Sequence, residues 1–321
     1  MCHSRIAKGE LHIHLLGGVS PNIIFNILKK YKMEPERESE LQVPPNCSSL
    51  SEYFSPWSHF RKIPCDLSEL DILIESFFDN LKKENIFFVE ARNTVVHIAK
   101  TLNLDIADAL FLIDERIKFF SKKYAIKAGL IMTLERGPQM KDNFHALIDA
   151  YRAIGCPSTI VGIDVAGNED VYLDDDLAIT IGALAKDNGL GLTVHAGETG
   201  KLENVHQAIT KFKANRIGHG IAALYSEDAL KDLQKNDICL EICPISNLYT
   251  SALKKHTLVN LQKLIQCGVP FVICSDNPCI QNSTIGDDYK LVSTIFEDEF
   301  LKKDILEAQK RFSFLKGEFN E

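Results

Sequence analysis

The segment GELHIHL, residues 9–15, decides the fold together with VPFVICSD, residues 269–276. Both segments are short and mostly apolar, which is typical of strands buried on both faces of a parallel sheet. The first carries His12 and His14, and the second ends in Asp276. An open, doubly wound sheet would keep the first and last strands apart, whereas a closed barrel makes them neighbours.

Six further segments of the same character lie between these two, and they alternate with stretches of helical periodicity such as 105–120 and 176–189. Eight strands that alternate with helices predict an α/β fold, namely a (β/α)₈ TIM-type barrel. Periodicity alone would also allow a doubly wound sheet. The six segments are Ile86–Asn93, Ala128–Glu135, Thr159–Gly167, Leu190–Glu198, Arg216–Ile221 and Ile238–Pro244.

The longest connection follows the first strand, and we predict that residues 16–85 or thereabouts form a helical lid region over one mouth of the barrel. No linker composition or internal repeat marks a second domain, so residues 1–321 are predicted to form a single barrel domain. Phe54, Trp57 and Phe60 in this region are interpreted as lid packing, with cover for an apolar substrate group as the alternative.

The composition is that of an ordinary globular protein, with 45% hydrophobic and 25% charged residues among 321. A formal net charge of −8 gives no attraction to nucleic-acid phosphates or anionic lipid, so neither partner is predicted. The opening MCHSRIAKGE lacks the apolar core of a signal peptide, and no apolar run reaches the length of a membrane span. The nine scattered cysteines favour thiols in a reducing compartment. We therefore predict a cytoplasmic protein.

Four of the predicted strands end in a histidine or an aspartate. His12 and His14, at spacing two, project to the same face of the first strand, while His195, His219 and Asp276 belong to the ends of the fifth, sixth and eighth strands. The carboxyl ends of barrel strands meet at one mouth, where active sites lie. Three imidazoles and one carboxylate are a ligand set that Zn²⁺ accepts. The sequence therefore predicts a zinc site at this mouth.

Glu198 and His219 also follow predicted strands and are left without a ligand role. Taken singly, the first could be a carboxylate near a helix start and the second a turn residue. At a zinc site, however, they are placed where acid and base groups are needed. The HExxH motif, the cytidine-type zinc deaminase pattern, a Walker A loop and GxGxxG are all absent from the sequence.

Five segments, in the order ELHIHLLG, GIDVAGNE, LTVHAGE, RIGHG and SDNP, resemble the adenosine/AMP deaminase family of the amidohydrolase barrels and span residues 10–278. The resemblance implies hydrolytic deamination in purine nucleotide metabolism, with a purine nucleoside or related small molecule as partner. Zinc hydroxide would attack C6 of an adenine ring, and ammonia or an amine would leave an inosine-type product. It carries no prediction of oligomeric state. It implies one Zn²⁺ per chain, held by His12, His14, His195 and Asp276.

The resemblance also implies catalytic and substrate contacts. Glu198 would protonate purine N1, and His219 would orient the attacking water and help to take up its proton. The backbone N–H of Gly167 would meet N3, and His14 would lie beside the nucleoside. Asp276 would act in catalysis as well as in metal binding.

Two positions depart from the family pattern. Asn277 replaces a frequent aspartate that faces purine N7, and its amide can donate to that acceptor. Leu16 replaces the polar residue that reaches the ribose, and leucine cannot make that hydrogen bond. N6-methyl-AMP, a 5′-substituted adenosine and free adenine therefore stay open as alternatives to adenosine.

Two other functions are weighed against deamination. Amide or lactam hydrolysis would be favoured by a modified lysine at the end of the fourth strand, but GIDVAG has none. A catalytically silent ligand-binding barrel is disfavoured because Glu198 and His219 are both present.

Overall fold

The computed structural model describes residues 8–44, 46–171 and 173–319. Within these residues eight parallel strands pair in chain order, which confirms the predicted (β/α)₈ barrel and excludes the doubly wound sheet. The strands are β1 Lys8–His14, β2 Ile86–Asn93, β3 Lys127–Glu135, β4 Ile160–Ala166, β5 Gly191–Ala196, β6 Arg216–His219, β7 Cys239–Ile242 and β8 Phe271–Ile273.

The barrel closes where the end of β1 meets the chain that follows β8. His14 N donates to Asp276 O at 2.9 Å, and Asp276 N donates to His12 O at 2.8 Å. The buried carboxylate of Glu10 adds a side-chain link, since it accepts from Ser275 N at 3.1 Å and from Ser275 Oγ at 2.7 Å. We call this contact the barrel seam. It brings the first and last predicted ligand segments side by side.

Helices cover the outside of the barrel and their apolar stripes face the strands. The predicted helices at 105–120 and 176–189 occur as α6, Ile106–Tyr124, and α8, Asp175–Asp187. Helix α6 buries Leu110, Ile113 and Ile117. No helix in the described part is both long and apolar enough to cross a lipid bilayer. The α-helices are α1 Pro21–Lys30, α2 Leu50–Tyr53, α3 Trp57–Phe60, α4 Leu67–Lys83, α5 Val95–Leu102, α6 Ile106–Tyr124, α7 Met140–Ala153, α8 Asp175–Asp187, α9 Leu202–Gln207, α10 Glu227–Lys235, α11 Pro244–Tyr249, α12 Gln262–Gln266, α13 Ile285–Val292, α14 Asp298–Lys302 and α15 Asp304–Phe312.

Helices α1 to α4 belong to the long connection between β1 and β2, which we call the insertion. Tyr53 and Phe60 are buried in it, whereas Phe54 and Trp57 are half-buried. The Trp57 ring approaches that of His14 edge-on, with 6.4 Å between the ring centroids. The insertion therefore contacts the carboxyl ends of the strands, where the predicted ligands lie.

The described cysteines are all free thiols. Three of them are buried: Cys239 in β7, and Cys243 and Cys274, which directly follow β7 and β8. Cys156 and Cys267 are exposed. Cys2 lies outside the described residues.

Candidate active site

Three imidazoles and one carboxylate meet at the carboxyl mouth of the barrel. One potential ligand atom from each of His12, His14, His195 and Asp276 lies within 4.8 Å of the others. Asp276 Oδ1 is 3.5 Å from His12 Nε2 and 3.4 Å from His14 Nε2. The structure thus brings together the four residues that the sequence proposes as zinc ligands.

Two buried carboxylates orient the imidazoles of His12 and His195 through their Nδ1 atoms. Glu241 Oε2 lies 2.8 Å from His12 Nδ1, and Asp164 Oδ1 lies 2.9 Å from His195 Nδ1. Each carboxylate fixes the proton on Nδ1 and leaves Nε2 as the free lone pair, as in metal-binding histidines. His12 Nε2 is buried and has no hydrogen-bond partner among the described residues. A metal ion at the cluster would satisfy this nitrogen, so the donor set fits zinc.

A buried ionic network lies beneath these carboxylates. Arg92 contacts both Asp164, at 3.1 Å, and Glu241, while Arg216 lies 2.7 Å from Glu241 and 2.6 Å from Glu90. Burial alone would raise the pKa of Glu241, but the two guanidinium groups hold that pKa well below its usual range. In this network of described residues two cations face three carboxylates. The surplus negative charge favours a bound cation above it.

The fourth candidate ligand, Asp276, receives hydrogen bonds at both oxygens. Tyr53 OH and Ser246 Oγ donate to Oδ2 at 2.9 and 2.7 Å, and Asn277 Nδ2 donates to Oδ1 at 2.7 Å. The backbone of Asp276 has φ +62°, a left-handed conformation that non-glycine residues adopt at a cost of about 1–3 kcal/mol. The surroundings therefore fix this side chain against an unfavourable backbone preference. Sequence reasoning missed Tyr53 and Ser246.

Glu198 and His219 form a pair beside the cluster, with 3.6 Å between Glu198 Oε2 and His219 Nε2. Burial raises the pKa of Glu198 well above its usual range, and the negative charges of Asp276 and Glu169 add to this shift. Burial lowers the pKa of His219 well below its usual range. Glu198 is therefore set up as a protonated acid and His219 as a neutral imidazole.

Asn247 orients the ring of His219. Its Nδ2 donates to His219 Nδ1 at 3.0 Å, so the proton of the neutral ring is on Nε2, the nitrogen nearest Glu198. His219 also has a left-handed backbone, with φ +65°. Asn247 was not among the residues found from the sequence.

Glu169 anchors the loop that carries Glu198. Its carboxylate accepts from Gly197 N at 2.8 Å, from Glu198 N at 2.9 Å and from Asn204 Nδ2 at 3.0 Å. Glu169 ends the segment GIDVAGNE, and the sequence did not predict it as a site residue. Gly167, in the same segment, has φ +94°, a conformation that suits glycine and exposes the backbone to close approach.

A cleft of about 400 Å³ leads from Glu198 to the insertion, within the usual size of small-molecule sites. The described residues that line it include two acidic residues, Asp170 and Glu198, and no cationic side chain. They are Ser48, Ser49, Leu50, Ser51, Phe54, Asn168, Asp170, Glu198, Thr199 and Thr250. Lys201 lies near the rim and pairs with Asp170 at 2.6 Å.

Leu16 and Asn277, the two departures, both lie at the barrel mouth. Leu16 is buried in the turn after β1 as part of the hydrophobic core. Asn277 Nδ2 donates within the protein, to Asp276 Oδ1 at 2.7 Å and to Tyr53 OH at 3.0 Å, and its Oδ1 is buried with no partner in the described residues. Its unused atom here is an acceptor, whereas the predicted contact to purine N7 needs a donor; that contact stays a prediction.

Residues 7–315 match the family model described as adenosine deaminase. The chain is 32% identical to an adenosine deaminase of Vibrio atlanticus (strain LGP32), with 95% of this chain and 92% of that protein covered. It is 29% identical to an adenosine deaminase of Clostridium botulinum (strain Kyoto / Type A2), with 91% of this chain and 88% of that protein covered.

Solved structures share the fold. An adenine deaminase from Arthrobacter aurescens superposes with a TM-score of 0.83 at 17% identity, and the alignment covers 97% of this chain and 94% of that chain. The N6-mAMP deaminase of Arabidopsis superposes with a TM-score of 0.82 at 21% identity, and the alignment covers 98% of this chain and 95% of that chain. The family match and the sequence relatives confirm the predicted hydrolytic deaminase. The chain belongs to the adenosine deaminase family.

Proposed function

We propose that this protein is a zinc-dependent deaminase of adenosine or of a closely related uncharged adenine compound. The observation that carries the proposal is the buried Nε2 of His12, which has no hydrogen-bond partner among the described residues and faces the other three candidate ligands beside the Glu198–His219 pair. Zinc held by His12, His14, His195 and Asp276 supplies a Lewis acid that lowers the pKa of water towards neutrality.

Glu198 delivers the proton that the reaction requires at the ring. Addition of oxygen at C6 breaks the aromaticity of the purine, and negative charge accumulates at N1 unless a proton arrives there. A carboxyl group that burial keeps protonated can donate to N1 in the transition state, an effect worth about 10²–10⁴-fold. The tetrahedral carbon then expels ammonia, or an amine where N6 is substituted.

His219 acts on the attacking oxygen. Because Asn247 donates to Nδ1, the Nε2–H of the neutral ring is free to donate a hydrogen bond to that oxygen and to orient it. A preorganised donor in a buried site stabilises charge that develops during attack. Both ring nitrogens are then occupied, so uptake of the proton of water by His219 stays a prediction from the family resemblance.

The lining of the cleft supports an uncharged substrate. A 5′-phosphate would find no cationic side chain among the described residues that line this cleft, and the nearby Lys201 is already paired with Asp170. Adenosine, a 5′-substituted adenosine and free adenine carry no such charge. The Arabidopsis protein solved with IMP keeps the nucleotide alternative, N6-methyl-AMP, as a candidate for direct comparison.

The test is release of ammonia or amine from a panel of adenine compounds by zinc-loaded protein. The panel contains adenosine, deoxyadenosine, adenine, AMP, N6-methyl-AMP and a 5′-thio-substituted adenosine, with the Glu198→Gln protein as the blank. We expect turnover of an uncharged member and its loss in the blank. Turnover of N6-methyl-AMP alone would overturn the substrate assignment, and full activity in Glu198→Gln would overturn the mechanism.

A further inference from the structure

We propose that Tyr53 is a positioning residue that links the insertion to the metal site by fixing Asp276. The inference rests on the proposed function, because it takes Asp276 to be a zinc ligand. Tyr53 belongs to α2, and 223 residues separate it from Asp276 in the chain. The bond between them is therefore a purely tertiary link between the insertion and the end of β8.

The direction of the Tyr53 hydrogen bond is fixed by its other partners. Asn277 Nδ2 and Gln281 Nε2 both donate to the hydroxyl oxygen, at 3.0 and 2.7 Å. A phenol has one hydrogen to donate, and amide nitrogens cannot accept it. That hydrogen therefore goes to Asp276 Oδ2 at 2.9 Å. The side chain is only 2% exposed, so water does not compete for it.

These contacts decide which oxygen of Asp276 is left for a cation. Oδ2 accepts from Tyr53 and from Ser246. Oδ1 accepts from Asn277 and faces the imidazoles, at 3.5 Å from His12 Nε2 and 3.4 Å from His14 Nε2. Oδ1 is therefore the oxygen of Asp276 that would face a zinc ion, while the two hydroxyl groups engage Oδ2. Loss of the Tyr53 hydroxyl removes one of the two donors that hold Oδ2, so the carboxylate is fixed less firmly in this orientation.

The hydrogen bond from Tyr53 to Asp276 also positions the side of the cleft that the insertion forms. Tyr53 is the buried residue of α2, a helix of four residues that are all described. Leu50 and Ser51 of this helix, with Phe54 next to it, line the cleft. Coupling between two sites is reciprocal. If docked Tyr53 strengthens zinc binding, zinc must stabilise the docked position of α2 by the same free energy.

The experiment compares Tyr53→Phe with wild type by zinc titration against a competing chelator, in the full chain. We expect zinc to bind about ten- to a hundredfold more weakly, the range found for partners that orient metal ligands. The matched control is Tyr249→Phe, because Tyr249 OH donates to the backbone oxygen of Gln281 at 3.3 Å and has no bond to Asp276. This control should bind zinc as wild type does.

Hydrogen exchange supplies a readout that a merely structural tyrosine would not change. Zinc should slow amide exchange across α2, Leu50–Tyr53, in wild type and in Tyr249→Phe but not in Tyr53→Phe. Should Tyr53→Phe fold poorly, Ser246→Ala removes the other donor to Oδ2 and should weaken zinc binding while α2 stays docked.

Unchanged zinc affinity in Tyr53→Phe, or equal zinc protection of α2 in both proteins, overturns the inference and leaves the proposed function intact. Zinc binding by wild type without turnover of any adenine compound overturns the proposed function and leaves the inference intact. Failure of wild type to bind zinc overturns both.

Discussion

Glu198→Gln should make the metal-free protein more stable at neutral pH while it removes turnover. Burial, reinforced by Asp276 and Glu169, raises the pKa of Glu198 above its unfolded value of 4.5. Between that value and the raised pKa the folded state binds more protons than the unfolded state. The free energy of unfolding of wild type therefore falls as pH rises through this window, by at most about 1.4 kcal/mol per pH unit from this group. Glutamine has no such dependence.

Urea unfolding of both metal-free proteins at about pH 5, 6, 7 and 8 measures the difference. We expect the free energy of unfolding of Glu198→Gln to exceed that of wild type by an amount that grows with pH, while turnover of the zinc-loaded variant falls by about 10²–10⁴-fold. Glu203→Gln, which removes the same charge from an exposed position on α9, is the control. Parallel stability curves for wild type and Glu198→Gln would refute the claim that burial keeps this acid protonated.

Four further substitutions test the surroundings of the site. His195→Ala should leave purified protein with little zinc by elemental analysis, and retention of a full equivalent of zinc would exclude His195 as a ligand. Glu241→Gln should weaken zinc binding about ten- to a hundredfold in chelator competition, because His12 loses its ionised partner; unchanged affinity would count against that role. Glu169→Ala should lower kcat more than it raises KM with zinc content unchanged, and a pure KM effect would contradict its anchoring of the Glu198 loop. Gly218→Ala should also reduce zinc affinity, since the added Cβ would lie 2.9 Å from His12 Cε1; wild-type affinity would show that the ring can move without loss.

The site residues at the strand ends were predictable because a short, buried barrel strand leaves few places for a polar side chain. An apolar run buried on both faces leaves a terminal His or Asp only the mouth of the barrel to occupy. The positions of His12, His195 and Asp276 followed from that constraint, and parallel pairing in chain order confirms the barrel behind it. Predicted and observed strand limits differ by a few residues at β6 to β8, where the strands shorten to four or three residues.

The residues behind the ligands were missed for two different physical reasons. Asp164, Glu241 and Arg92 are charged residues within otherwise apolar strands, and a buried charge needs a partner, so the sequence held a signal for them. Tyr53 and Glu169 carried no comparable signal. A tyrosine in an amphipathic stretch resembles ordinary packing, and its bond to Asp276 spans 223 residues of chain with no periodicity to reveal it.

Because the proposed zinc ligands lie on both sides of the barrel seam, the order of synthesis determines when the zinc site can form. His12 and Asp276 lie on opposite sides of the seam, and their backbones are joined by the bond from Asp276 N to His12 O at 2.8 Å. A chain still emerging from the ribosome has made two of the ligands at its start but lacks the fourth until β8 is complete. Tight zinc binding should therefore begin only when the barrel closes, and a chain truncated before Asp276 would lack one of the four proposed ligands.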